Sequence, residues 1–140
     1  MKENRNLHMR VQEMCDCFAT TDPLEEMARM AGEKDDLQES AVKWLALAIL
    51  HGVNSNAEEI VLRRGEDGRV RVKAEYRTAD LPVPDQGIAE AVIEAVRSIT
   101  HIEEDKGKLP VSIGIRDSSV DLEIRIKARG GKQKVKLKFR

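Results

Sequence analysis

Two clusters in this chain have side chains of the kind that hold cations: Cys15-Asp16-Cys17 with His8 nearby, and the run Glu103-Glu104-Asp105. A closed zinc site takes four ligands, usually from cysteine pairs spaced two to four residues apart. One Cys-x-Cys and a single histidine fall short of that, and thiols carried half-buried on a helix are expected instead. A calcium loop spaces its oxygens and needs a glycine at the bend; the acidic run has neither and reads as a solvated turn. His51 and His101 each lie just after an expected helix, where a protonated imidazole meets the negative end of the helix dipole. No G-x-S-x-G, H-E-x-x-H or nucleophile–base pairing occurs. No catalytic residue, metal or cofactor is expected, and the chain reads as a non-enzyme.

Charge is the remaining chemistry. From Arg125 to Arg140 there are eight basic residues and no carboxylate, although the whole chain has a net charge of −1. Residues 1–50 hold 6 Lys/Arg against 10 Asp/Glu, and residues 51–140 hold 18 against 15. A general polyanion binder is basic throughout. Single-strand binders also interleave aromatics that stack on bases. Here the aromatics are Phe18, Trp44, Tyr76 and Phe139, and Trp44 and Phe139 are assigned to the core. Nucleic-acid binding through the basic end is therefore the second reading, behind a protein partner.

These residues must be held by a single domain-sized body. At 140 residues the chain is long enough to bury a core without staples. No apolar run approaches the roughly 20 residues of a membrane span. The polar N-terminus lacks a signal core, so a cytoplasmic protein without membrane insertion is expected. Cys15 and Cys17 offer no disulfide framework, and reduced thiols fit that compartment.

Leu7, Val11, Met14 and Phe18 recur at helical spacing. Asp22-Pro23 starts a second short helix, with Gly32 as its stop. Residues 1–36 thus form a helical N-terminal extension, and both helices are too short to stand undocked. Asp36 and Glu39 have capping-box spacing before a helix that is apolar nearly all round from Ala41 to Leu50, with Gly52 as its stop. Two strands flank the turn Arg63–Gly68 (RRGEDG), with Gly68 left-handed. The segment Leu81–Pro84 (LPVP) then breaks the pattern. Ile88, Val92, Val96 and Ile99 mark one face of a further helix.

The last 31 residues form a meander. With Gly130-Gly131 as a two-residue loop, Ile126 faces Val135, Ile124 faces Leu137 and Leu122 faces Phe139 on the apolar side. On the wet side Glu123 meets Lys138 and Asp121 meets Arg140, while Arg125/Lys136 and Lys127/Lys134 are like-charged. A one-residue slip would turn every lysine toward the core. A second loop, Arg116 to Ser119, pairs Ile115 with Val120, Ile113 with Leu122 and Val111 with Ile124. The lysines are first the solvated side of a half-buried sheet. The two like-charged pairs, each costing a few tenths of a kcal/mol, point to an acidic partner over Arg125, Lys127, Lys134 and Lys136.

The stretches AVKWLALAILHGVNSNAEEIVL, RSITHIEEDKGKLP and SSVDLEIRIKARGGKQKVKLKF, taken in order, resemble the second N-terminal domain of the type II secretion and type IV pilus assembly ATPases, the module directly before the motor. The resemblance covers residues 37–140. It implies an α+β fold, a small antiparallel sheet packed on two main helices in the order helix-β-β-helix-β-β-β. It further implies a non-catalytic interaction module that docks onto a motor or assembly component. In that family a motor domain follows the position of Phe139. No G-x-x-x-x-G-K-[ST] occurs here, and the chain reads equally as a motor-less relative or as a piece of a longer protein. The family's charged positions near nucleotide are altered: its Arg-x-Arg-x-Asp-Gly run falls on Lys73–Thr78, and the arginine of its last hairpin falls at Glu123. No nucleotide-binding residue is carried across.

Overall fold

The computed structural model describes residues 2–30, 36–55, 57–75, 78–80, 86–115 and 118–139. Their order is α1 (Lys2–Cys17), α2 (Pro23–Met30), α3 (Leu37–Asn54), β1 (Glu59–Arg64), β2 (Val70–Glu75), β3 (Thr78–Asp80), α4 (Gln86–Thr100), β4 (Lys106–Ile115), β5 (Ser118–Arg129) and β6 (Lys132–Phe139). The class is α+β. One antiparallel sheet runs β3-β2-β1-β6-β5-β4, so two three-stranded meanders meet where β1 pairs with β6.

The helices start where capping chemistry places them. The Glu39 N–H donates to Asp36 Oδ1 at 3.1 Å, and the Leu24 N–H donates to Asp22 Oδ1 at 3.1 Å. From Ala41 to Leu50 every residue of α3 is buried except Lys43. Its ammonium lies 5.0 Å from the centre of the Phe18 ring and 3.8 Å from Glu26. Trp44, Leu47, Ile88, Val92 and Val96 form the centre of the core with Ile60, Leu62, Leu122, Ile124, Val135 and Leu137 from the sheet. Leu7, Val11 and Cys15 of α1 and Met27 and Met30 of α2 belong to this same core. Burial of their apolar faces holds two helices that would be marginal alone.

Helix α1 also covers one sheet edge. Gln12 Oε1 accepts from the Gly114 N–H at 2.9 Å, and His8 Nε2 lies 3.2 Å from the Ser112 carbonyl. Edge-strand backbone groups left open invite pairing with another chain; here side chains meet them. Pro110 is tolerated inside β4 because its missing N–H falls on that outer edge.

The final hairpin has the expected register. Leu122, Ile124 and Ile126 face Phe139, Leu137 and Val135, and Gly130 takes a φ of 61° at the turn. Gly68 is likewise left-handed, with φ 83°. The Asp121–Arg140 pairing lies outside the described residues, as do Gly32 and Leu81–Pro84.

Three expectations are corrected. The β4–β5 register is shifted by two residues: Ile115 pairs with Ser118, Ile113 with Val120 and Val111 with Leu122. Ser118 and Ser119 are therefore strand, not loop. A shift of two leaves every apolar residue on its face, so the hydrophobic pattern does not distinguish the two registers. The observed one sets Ser112 beside Asp121, whose Oδ1 accepts from Ser112 Oγ at 2.5 Å. Second, Gly52 does not end α3, which continues to Asn54 with Ser55 as its cap. Gly52 is buried, and a Cβ there would overlap the Phe139 ring; the glycine admits a close contact. Third, a short strand β3, unforeseen in the sequence, joins the sheet beside β2.

Candidate docking face

All the apolar alternation turns toward the helices, so the other face of the sheet is left to the intervening residues. Arg125, Lys127, Lys134 and Lys136 lie together on it as expected: Arg125 opposite Lys136, and Lys127 opposite Lys134. The sheet order adds residues that sequence reasoning missed. Arg63 of β1 pairs with Lys134 on one side and with Arg71 of β2 on the other. The corrected β4 register sets Lys106 opposite Lys127 and Lys108 opposite Arg125. Arg71, Arg63, Lys134, Lys127 and Lys106 thus form one row of five cations across five adjacent strands. At about 4.8 Å per strand the row is about 19 Å long. Beside it Lys136, Arg125 and Lys108 make a second row.

Carboxylates hold one end of this face. Glu123 Oε1 lies 2.5 Å from Arg125 Nε, and Glu59 Oε2 lies 3.6 Å from Lys136 Nζ. Glu123 is only 8% exposed and Val61 5% exposed, although both sit on the open side. In the five-cation row, by contrast, no carboxylate among the described residues lies within 4.0 Å of a basic group. Burial pushes the Lys134 ammonium below its usual range, and the neighbouring Lys136, Arg63 and Lys127 push it further, against Glu59. Among the described residues the centre of the face is a field of like charge, and its carboxylates lie along the borders.

The cation-ligand candidates are not brought together. Cys15 is buried, 3.8 Å from the Ala46 carbonyl, and burial pushes its thiol up to about 12, with Asp16 adding to the effect. A thiol held that high has almost no thiolate at neutral pH, and the thiolate is the form that binds metal or attacks. Cys17 is free and exposed. His8 is engaged with the β4 edge instead. Among the described residues no three His, Cys, Asp or Glu side chains gather where an ion could be held. His51 lies inside α3, 6% exposed, and burial lowers its affinity for a proton against the pull of Asp22; the neutral ring is favoured there. His101 follows α4 directly, as expected, with φ 61°. No helix among the described residues is long and apolar enough to cross a membrane.

The missed cations had a partial signal. Arg71 alternates with Val70 and Val72 as the terminal lysines do with their apolar neighbours. The alignment of Arg63 and Arg71, however, depends on β1 lying beside β6, a pairing between distant segments that no local pattern encodes, and that of Lys106 and Lys108 depends on the β4–β5 register. No protein-family model matches the chain, and neither does any curated protein.

Proposed function

We propose that the chain is a non-catalytic docking module whose open sheet face holds an acidic surface of another protein, and that this partner is a motor or assembly component of a secretion or pilus system. The observation that carries the docking face is the unneutralised five-cation row. Like charges set directly opposite one another on a sheet are destabilising, and a complementary acidic surface removes that cost on contact. The choice of partner rests on the sequence resemblance alone, and β3 is a departure from the helix and strand order that the resemblance implies.

A duplex or single-stranded nucleic acid is the second reading, favoured by the regular spacing of the row. Against it, no aromatic side chain lies on this face among the described residues, and carboxylates border it.

The test is binding of a purified motor subunit from the same organism, followed by biolayer interferometry, with wild type and the double variant Lys127→Glu/Lys134→Glu. The expected result is saturable capture that falls at least tenfold in the variant, with an unchanged melting temperature. Equal capture by both proteins overturns the assignment of the face. Absence of capture, together with oligonucleotide binding that weakens steeply with salt, puts the second reading in its place.

A further inference from the structure

Pairing of β1 with β6 places two hairpin tips side by side. Arg64 at the end of β1 lies opposite Gln133 near the start of β6. Its guanidinium donates to the Gly131 carbonyl at 3.2 Å and to Glu90 Oε1 at 2.8 Å, tying the β5–β6 turn to α4. Glu66 of the β1–β2 turn packs against Gly130 and Gly131, so closely that a Cβ at Gly131 would lie 3.3 Å from its side chain. The β1–β2 turn is closed on itself by the Gly65 N–H donating to the Arg69 carbonyl at 2.9 Å. Two turns braced in this way leave a hollow of about 740 Å³ on the open side.

Eight of the twelve residues lining that hollow are Arg or Lys, against two carboxylates. Those carboxylates do little to neutralise it. Asp67 is taken by Arg69, 3.4 Å away, and Glu66 lies against the glycine turn. Arg63, Arg71, Lys127, Arg129, Lys132 and Lys134 have no carboxylate within 4.0 Å among the described residues. Arg64 Nε, in the wall, is buried with no hydrogen-bond partner there.

We infer that the hollow between the two hairpin tips is a binding site for a small anion carrying two or more linked phosphates. Its volume is that of a ligand site, in the range of about 300–1,000 Å³. Guanidinium forks match phosphate oxygens two at a time. A single charge would leave most of the ring of cations repelling one another, whereas a polyphosphate answers several at once. No aromatic lines the hollow, so recognition is of the phosphates and not of a base. This site is distinct in ligand from the protein-docking function proposed above and does not depend on it.

The experiment is isothermal titration of the full chain with inorganic tripolyphosphate, orthophosphate and ATP, using wild type, Arg129→Glu/Lys132→Glu and the control Lys108→Glu. Lys108 lies on the same sheet face but outside this hollow. The expected result is one-to-one binding of tripolyphosphate and ATP with similar affinity, at least tenfold tighter than orthophosphate. That binding should weaken at least tenfold in the double variant and less than threefold in the control. Phosphates of a membrane or a nucleic acid share this chemistry, so anionic phosphoinositide vesicles and a 12-nucleotide single strand form further arms. Equal loss in Lys108→Glu would show a diffuse field and overturn the site. So would binding to vesicles or oligonucleotide without binding to free tripolyphosphate, and so would a double variant that binds as wild type.

Discussion

The two faces of this sheet are made from the same strands, residue by residue in alternation, yet they obey different constraints. On the helix side Leu122, Ile124, Ile126, Val135 and Leu137 are all at most 5% exposed, and each has one workable environment. On the open side Lys127, Lys134, Arg63 and Arg71 are set abreast where each would be better off apart. At about 0.2–1 kcal/mol for each like-charged contact, the three contacts among these four residues cost about 0.6–3 kcal/mol. The buried face fixes the register, and the open face carries the consequence. Folding therefore accounts for where the cations are, but supplies no reason for their being cations.

The largest expected difference between the faces comes from deleting volume. Leu122 is fully buried between β4 and β6, and Leu122→Ala should cost about 2–5 kcal/mol. Truncating Lys127 on the opposite side of β5 should stay within about 0.5 kcal/mol. Urea midpoints at constant m-value measure both. A loss at Lys127 comparable to that at Leu122 would mean the open face is packed, not free.

Next in size is the contact between Gly52 and Phe139. Gly52→Ala would gain up to about 1 kcal/mol of helix propensity but would press its methyl into the Phe139 ring, and overpacking of this kind costs about 1–3 kcal/mol. A net loss is expected, and Phe139→Leu in the same chain should recover part of it. A double-mutant cycle showing no coupling would separate the two residues.

Gly52 also marks the limit of what the sequence discloses. The start of α3 was legible because Asp36 and Glu39 are neighbours in the chain. The glycine looked like a stop because its true reason, a ring from the last strand, lies far along the chain. The two hairpins divide in the same way. Gly130-Gly131 is a turn with its own chemistry, so the β5–β6 register could be read directly. The β4–β5 link had only the apolar alternation to guide it, and alternation has a period of two. A slip of two was invisible. Four of the candidate face residues follow from the glycine hairpin alone, whereas Arg63, Arg71, Lys106 and Lys108 needed the sheet order and the corrected register.

A smaller effect separates the faces by pH. His51 is on the buried side, and its folded-state proton affinity lies below the ordinary value of about 6.5. The unfolded chain therefore binds the proton first as pH falls. The contribution of the neutral ring is present above about pH 6.5 and is lost on going below it. Stability of wild type minus that of His51→Gln should decline between pH 7.5 and 5 in urea titrations. A difference that is flat would mean burial does not lower the ring's proton affinity, and one that rises toward acid would mean the folded protein favours the charged ring.

The smallest effect tests the open face itself. Lys127→Glu converts two opposed pairs, with Lys106 and with Lys134, from like to unlike charge. Each exposed pair of this kind is worth only a few tenths of a kcal/mol, so the variant should be equal to wild type or slightly more stable, and the gain should vanish in high salt. This sign runs opposite to every change on the buried side. If Lys127→Glu destabilises the fold, the lysines are structural, and the argument that their repulsion awaits an acidic partner fails with it.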